Sequence, residues 1–157
     1  MRQIVLLIFV LFILTFAGCS YSTAFVVVND SEQPIEVRYK VKRDAGVLSS
    51  TDTPAKIAAS QIANHYRTQW RILSSAEYQT NRTDRAITVT VTVLPHEALW
   101  VTSMFHYIGD EDPNDVASWP IDEISIAGAN GGMTFTGQKT RKSFVYVSRV
   151  LYTLKYS

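Results

Sequence analysis

The sequence predicts a mainly β fold, an antiparallel immunoglobulin-like β-sandwich of about seven to nine strands. Three observations carry this. Apolar and polar residues alternate at every second position over Ile35–Lys42 and again over Ile87–Val93. Turn-forming clusters separate the apolar runs. No strand–helix–strand rhythm runs along the chain, so a parallel α/β sheet is not expected.

Taken in order, Phe25-Val26-Val27-Val28 is a β-branched apolar run suited to a strand. Asn29 to Pro34 is a turn. Ile35, Val37, Tyr39 and Val41 then alternate with Glu36, Arg38, Lys40 and Lys42, a strand with one wet face. Residues 53–64 admit either a helix, capped by Thr53 with Pro54 following, or a strand. The surrounding β pattern favours the strand. Trp70–Leu73 and Glu77–Gln79 read as extended. Ile87, Val89, Val91 and Val93 with intervening threonines form a second alternating strand, ended by Leu94-Pro95. Further strands are expected over Leu99–Phe105 and Ile121–Ala127. Ala129-Asn130-Gly131-Gly132 is a hairpin turn, because Asn-Gly accepts positive φ. Met133–Thr136 leaves it, and Phe144–Tyr156 reads as one closing strand with a bulge at Ser148.

The N-terminus is of another kind. Arg2 supplies a positive start, Ile4 to Phe16 is apolar except for Thr15, and the small Ala17 and Gly18 lead to Cys19. Charge, apolar core and small-residue exit make up a secretory signal peptide. As a helix, Ile4–Gly18 spans about 22 Å at about 1.5 Å per residue, against about 30 Å of bilayer hydrocarbon. A cleaved signal helix is therefore expected rather than a spanning anchor.

Phe16-Ala17-Gly18-Cys19 resembles the lipobox of bacterial lipoproteins, with Phe16 where leucine is usual. The resemblance covers residues 1–20. It implies cleavage between Gly18 and Cys19, with diacylglycerol and a fatty acyl group on Cys19. With Ser20 next, it also implies the outer membrane, facing the periplasm. The expected organisation is a signal peptide over 1–18, a short tether over 19–24 and one sandwich domain over 25–157. Such a tether reaches about 20 Å. Cys19 is the single cysteine, so no intramolecular disulfide forms, and an unpaired thiol in an exported chain asks for a reason. Lipidation supplies one, since two or more acyl chains hold firmly where one does not.

The chain has 15 Lys and Arg against 14 Asp and Glu. Loss of Arg2 with the signal leaves a formally neutral protein, which argues against general nucleic-acid binding. The charges are unevenly placed. Between Arg85 and Lys139 there are only acids, and from Lys139 onward only bases.

Catalytic patterns are not found. His65, His96 and His106 lack metal-ligand spacing, and no Gly-x-Ser-x-Gly elbow is present. Asp110, Asp112 and Asn114 have the alternate spacing of a calcium loop, but Asp115 and Ile121 stand where glycine and a bidentate glutamate belong. They are metal candidates against an expectation of a solvated acidic loop. Lys139, Arg141 and Lys142, between Gly137 and Phe144, are candidates for membrane or partner contact, against a charged loop or protected edge. Trp70, Trp100 and Trp119 could form a sugar-stacking platform, against a role in the core. The expectation is a non-enzymatic, lipid-anchored envelope protein with a binding or structural role. The membrane lipid is one partner and an envelope protein or polysaccharide another, with no cofactor beyond the lipid. The alternatives are a carbohydrate-binding envelope module and a hydrolase whose residues gather from separate strands.

Overall fold

The computed structural model describes residues 20–42, 54–64, 70–83, 86–107, 119–148 and 151–157. Among these, eleven strands form two sheets. The larger runs in the order β10 (Val145–Ser148), β11 (Leu151–Tyr156), β1 (Ser20–Asn29), β7 (Glu97–Tyr107), β3 (Ala55–Ala58) and β4 (Arg71–Ile72). The smaller runs β5 (Tyr78–Arg82), β6 (Ala86–Val93), β2 (Ile35–Lys42), β8 (Ile121–Gly128) and β9 (Gly131–Thr136). The protein is a mainly β, two-sheet sandwich, with more strands than the sequence suggested.

The alternating segments behave as expected. In β2, Ile35, Val37, Tyr39 and Val41 are buried while the charged residues between them are exposed. β2 pairs with β6 in unbroken register from Ile35↔Val93 to Lys42↔Ala86. A register slip by one residue would bring all four to the wet face, each forfeiting about 1.5–3 kcal/mol.

β1 departs from alternation because apolar groups cover both of its faces. Phe25 and Val27 enter the main core between the sheets, with Val37, Val91, Leu99 and Ile124. Val26 and Val28 belong to a second cluster on the outer face of the larger sheet, with Ala24, Ala98, Leu151, Ile57 and Ile62. Trp70 and Trp100 border that cluster edge to face, 5.1 Å apart.

Five expectations are corrected. The proposed tether over 19–24 is strand from Ser20 onward, paired Ser20↔Tyr107 through Ala24↔Ser103. Ladder bonds come from the backbone, so serine and threonine did not prevent pairing. The sheet is also not wholly antiparallel, because β1 and β11 run parallel from Ala24↔Leu151 to Asn29↔Tyr156. The closing strand is a hairpin, with β10 folded back on β11. Residues 53–64 divide: Ala55–Ala58 pairs with β7, then Ala59–Asn64 turns into a 3-10 helix that carries Ile62 onto the outer cluster. Finally, Gln138–Lys142 forms a short helix, α1, rather than a loop. The β8–β9 hairpin falls where predicted, but Gly131 takes the positive φ of 114° and Asn130 does not.

Candidate functional site

One side of the sandwich is bridged by α1, which connects β9 at the edge of one sheet to β10 at the edge of the other. Thr140 holds this bridge in place. Its side chain is fully buried. The Trp119 indole N–H donates to Thr140 Oγ1 at 2.5 Å. Thr140 Oγ1 in turn lies 2.9 Å from the Ile121 carbonyl and 2.7 Å from the Gly137 carbonyl. The hydroxyl has one proton, so it donates to one of these two while accepting from the indole. The Gly137 N–H donates to the Asp122 carbonyl, 2.8 Å, fixing the start of α1 to β8.

Arg141 points inward from the same helix and is 8% exposed. Its guanidinium carbon lies 4.2 Å from the Tyr152 ring centroid, 4.7 Å from Phe25 and 5.9 Å from Trp119. Phe25 and Tyr152 stack, with centroids 5.1 Å apart. Trp119 and Phe144 meet Phe25 edge-on at 4.7 and 5.6 Å. Negative ring faces stabilise a cation that burial would otherwise penalise. Among the described residues, Arg141 is held by rings and not by a carboxylate. The three expected contact bases are therefore separated: Lys139 and Lys142 are exposed, while Arg141 belongs to the packing.

Beyond α1 the chain emerges on β10. Val145, Tyr146 and Val147 are 66%, 60% and 53% exposed. Tyr146 pairs with Tyr152 in register and touches it edge to face at 5.4 Å, so it shares the side of Phe25. Val145, paired with Thr153, faces the other way, and Val147 sits at the register break between Tyr146 and Ser148. The result is an apolar strip on an edge strand with two exposed lysines beside it.

Other predicted positions fare differently. Gly18 and Cys19 lie outside the described residues, as do His65, Asp110, Asp112 and Asn114. His106 falls on β7. His96 sits at an exposed turn with φ 58°, its Nε2 3.4 Å from Glu32 Oε1. Among the described residues, no group of His, Cys, Asp and Glu could hold a metal ion. Trp119 is core, and Trp70 and Trp100 are half-buried against each other, so the tryptophans offer no coplanar exposed row.

Two polar clusters were not foreseen. Lys56 is buried. Its ammonium bonds the Thr92 carbonyl and Glu97 Oε2, the latter at 3.0 Å. Glu97 Oε2 also accepts from the Leu94 N–H at 3.0 Å, so the pair clamps the β6–β7 turn and joins β3 of one sheet to β6 of the other. At the exposed loop before β5, the Ser74 N–H donates to Glu77 Oε2, Arg71 donates to Oε1, and the Ser74 hydroxyl adds a third bond. Foremost through the Ser74 N–H, these lower the Glu77 carboxyl from 4.5 to about 2. A carboxylate held ionised in this way cannot deliver a proton near neutral pH.

Compared with known proteins, the chain matches no family model, no curated protein and no solved structure.

Proposed function

We propose that this chain is a lipid-anchored envelope lipoprotein whose sandwich binds or supports another envelope component without performing catalysis. The observation that carries the proposal is the setting of Cys19. It is the single thiol, follows the apolar Ile4–Gly18 run through Ala17 and Gly18, and immediately precedes β1. Acylated there, the sandwich would sit against the bilayer with no slack chain between lipid and strand, and its partner, protein or polysaccharide, would be reached from that surface. The Ser20 that follows argues for the outer membrane, facing the periplasm. The non-catalytic part draws support from the described polar clusters. The Lys56–Glu97 pair clamps a turn, and Glu77 closes a loop on itself.

The test is metabolic labelling with a fatty-acid probe. The native chain is expected to take up label, and Cys19→Ala to lose it along with its membrane association. Label persisting on Cys19→Ala would overturn the proposal.

A further inference from the structure

We infer that the strip Val145-Tyr146-Val147, together with Lys139 and Lys142, rests on an anionic phospholipid surface. This inference rests on the anchoring reading above. Three adjacent hydrophobic side chains more than half exposed are unusual on a strand whose neighbours are buried. They project from both faces of β10, so a single flat protein face covers them poorly. A fluid interface can receive valine and tyrosine from both sides, and tyrosine suits the headgroup level. Lys139 and Lys142 stand beside the strip, and from Lys139 to Ser157 the chain carries no acidic residue. Among the described residues neither lysine forms an ion pair, and lipid phosphate would supply the counter-charge.

Position agrees with this. The registers Tyr146↔Tyr152 and Phe25↔Tyr152, with Val145↔Thr153 and Val26↔Thr153, set the strip level with Phe25 and Val26. That level is about 17–20 Å along β1 from Ser20, and β10 lies about 10 Å to the side, at about 3.4 Å per residue and about 4.8 Å per strand. One flat surface meets both the start of β1 and the strip when the sandwich tilts onto its β10 edge. A second copy of the chain is the competing occupant of this edge. β10 argues against it by its four residues, by the register break between Tyr146 and Ser148, and by bringing no complementary charge.

The experiment uses the full acylated chain reconstituted in vesicles of phosphatidylethanolamine and phosphatidylglycerol. A spin or fluorescent label is placed through Val147→Cys or, as control, Gln79→Cys on the exposed β5 edge of the other sheet. The label at 147 is expected to be quenched by lipid-borne quenchers, while the label at 79 remains in water. Adding Lys139→Gln and Lys142→Gln is expected to lower the docked-to-undocked ratio about thirtyfold (about 2 kcal/mol at about 1.4 kcal/mol per tenfold). Vesicles of phosphatidylcholine alone should reproduce that loss. Equal water exposure at 147 and 79 on a vesicle-bound protein would overturn the inference and leave the anchor intact. Contact between 147 labels of two copies without lipid quenching would overturn it in favour of a dimer. Failure of the chain to float with vesicles would overturn the anchoring reading itself, and this inference with it.

Discussion

Replacing Thr140 by valine tests how the open side of the sandwich is closed. The substitution keeps the shape and removes one oxygen. Trp119 Nε1, on a ring that is 2% exposed, loses its acceptor at 2.5 Å. The Gly137 carbonyl still receives the Thr140 N–H at 3.1 Å, so it is not orphaned. The loss is thus one net hydrogen bond, about 1 kcal/mol, plus the desolvation of a buried indole N–H, about 1–3 kcal/mol. A destabilisation of about 2–4 kcal/mol follows, or a fall of about 6–12 °C in Tm at about 3 °C per kcal/mol for a domain of this size. Thr140→Ser keeps the oxygen and should cost no more than about 1 kcal/mol. Urea unfolding followed by tryptophan fluorescence and near-ultraviolet circular dichroism measures both, with an unchanged slope showing that the same transition is compared. The cycle is completed with Trp119→Phe, after which Thr140→Val should cost about 1–2 kcal/mol less than it does alone. If valine and serine at 140 unfold at the same urea concentration, the hydroxyl does not hold the bridge and the reasoning fails.

Two further predictions concern other parts of the sandwich. Gly128→Ala sets a Cβ 2.6 Å from Tyr156 Oη and 2.8 Å from Cζ, displacing the bond that Tyr156 donates to the Gly131 carbonyl at 2.9 Å. It should destabilise by about 1–3 kcal/mol, and the double variant with Tyr156→Phe should cost less than the two singles together, which urea titration would show. Glu77 should titrate at about 2 in the folded protein against 4.5 in the unfolded chain. Because its folded value is depressed, its contribution is complete above 4.5 and is lost as pH falls through about 2. Carbon-detected NMR of the Glu77 carboxyl checks this. Arg71→Gln should raise the midpoint only partly, since the Ser74 N–H is the largest cause, and a full return to 4.5 would contradict that order.

Much of the fold was legible where burial is one-sided. β2, β6 and the β8–β9 hairpin each carry alternation or turn chemistry that local physics suffices to read. The failures came where parity misleads. Tyr146 and Tyr152 oppose each other in the β10–β11 hairpin, and cross-strand partners face the same side, so folding the strand back preserves the parity of an unbroken strand. β1 hid its beginning because the ladder is made by the backbone, whatever side chains the strand carries. The site was less legible. Lys139, Arg141 and Lys142 form one charge run, yet Arg141 is buried by Phe25, Trp119 and Tyr152, which come from distant parts of the chain. Nothing local to Arg141 announces those rings. Lys56 was missed for the same reason, as its partners lie on β6 and β7.

The parallel pairing of β1 with β11 bears on the timing of folding. The earliest described strand and the latest are hydrogen-bonded neighbours in the interior of the larger sheet. A ribosome, or a translocation channel, delivers β1 long before β11 emerges. Until then one long edge of β1 stays open, and Val26 and Val27 wait beside an empty place in the ladder. Closing a loop of this length is slow, and an open apolar edge invites pairing with other chains. The larger sheet is therefore completed only once β11 is delivered, and the interval before it arrives is when a chaperone has most to protect.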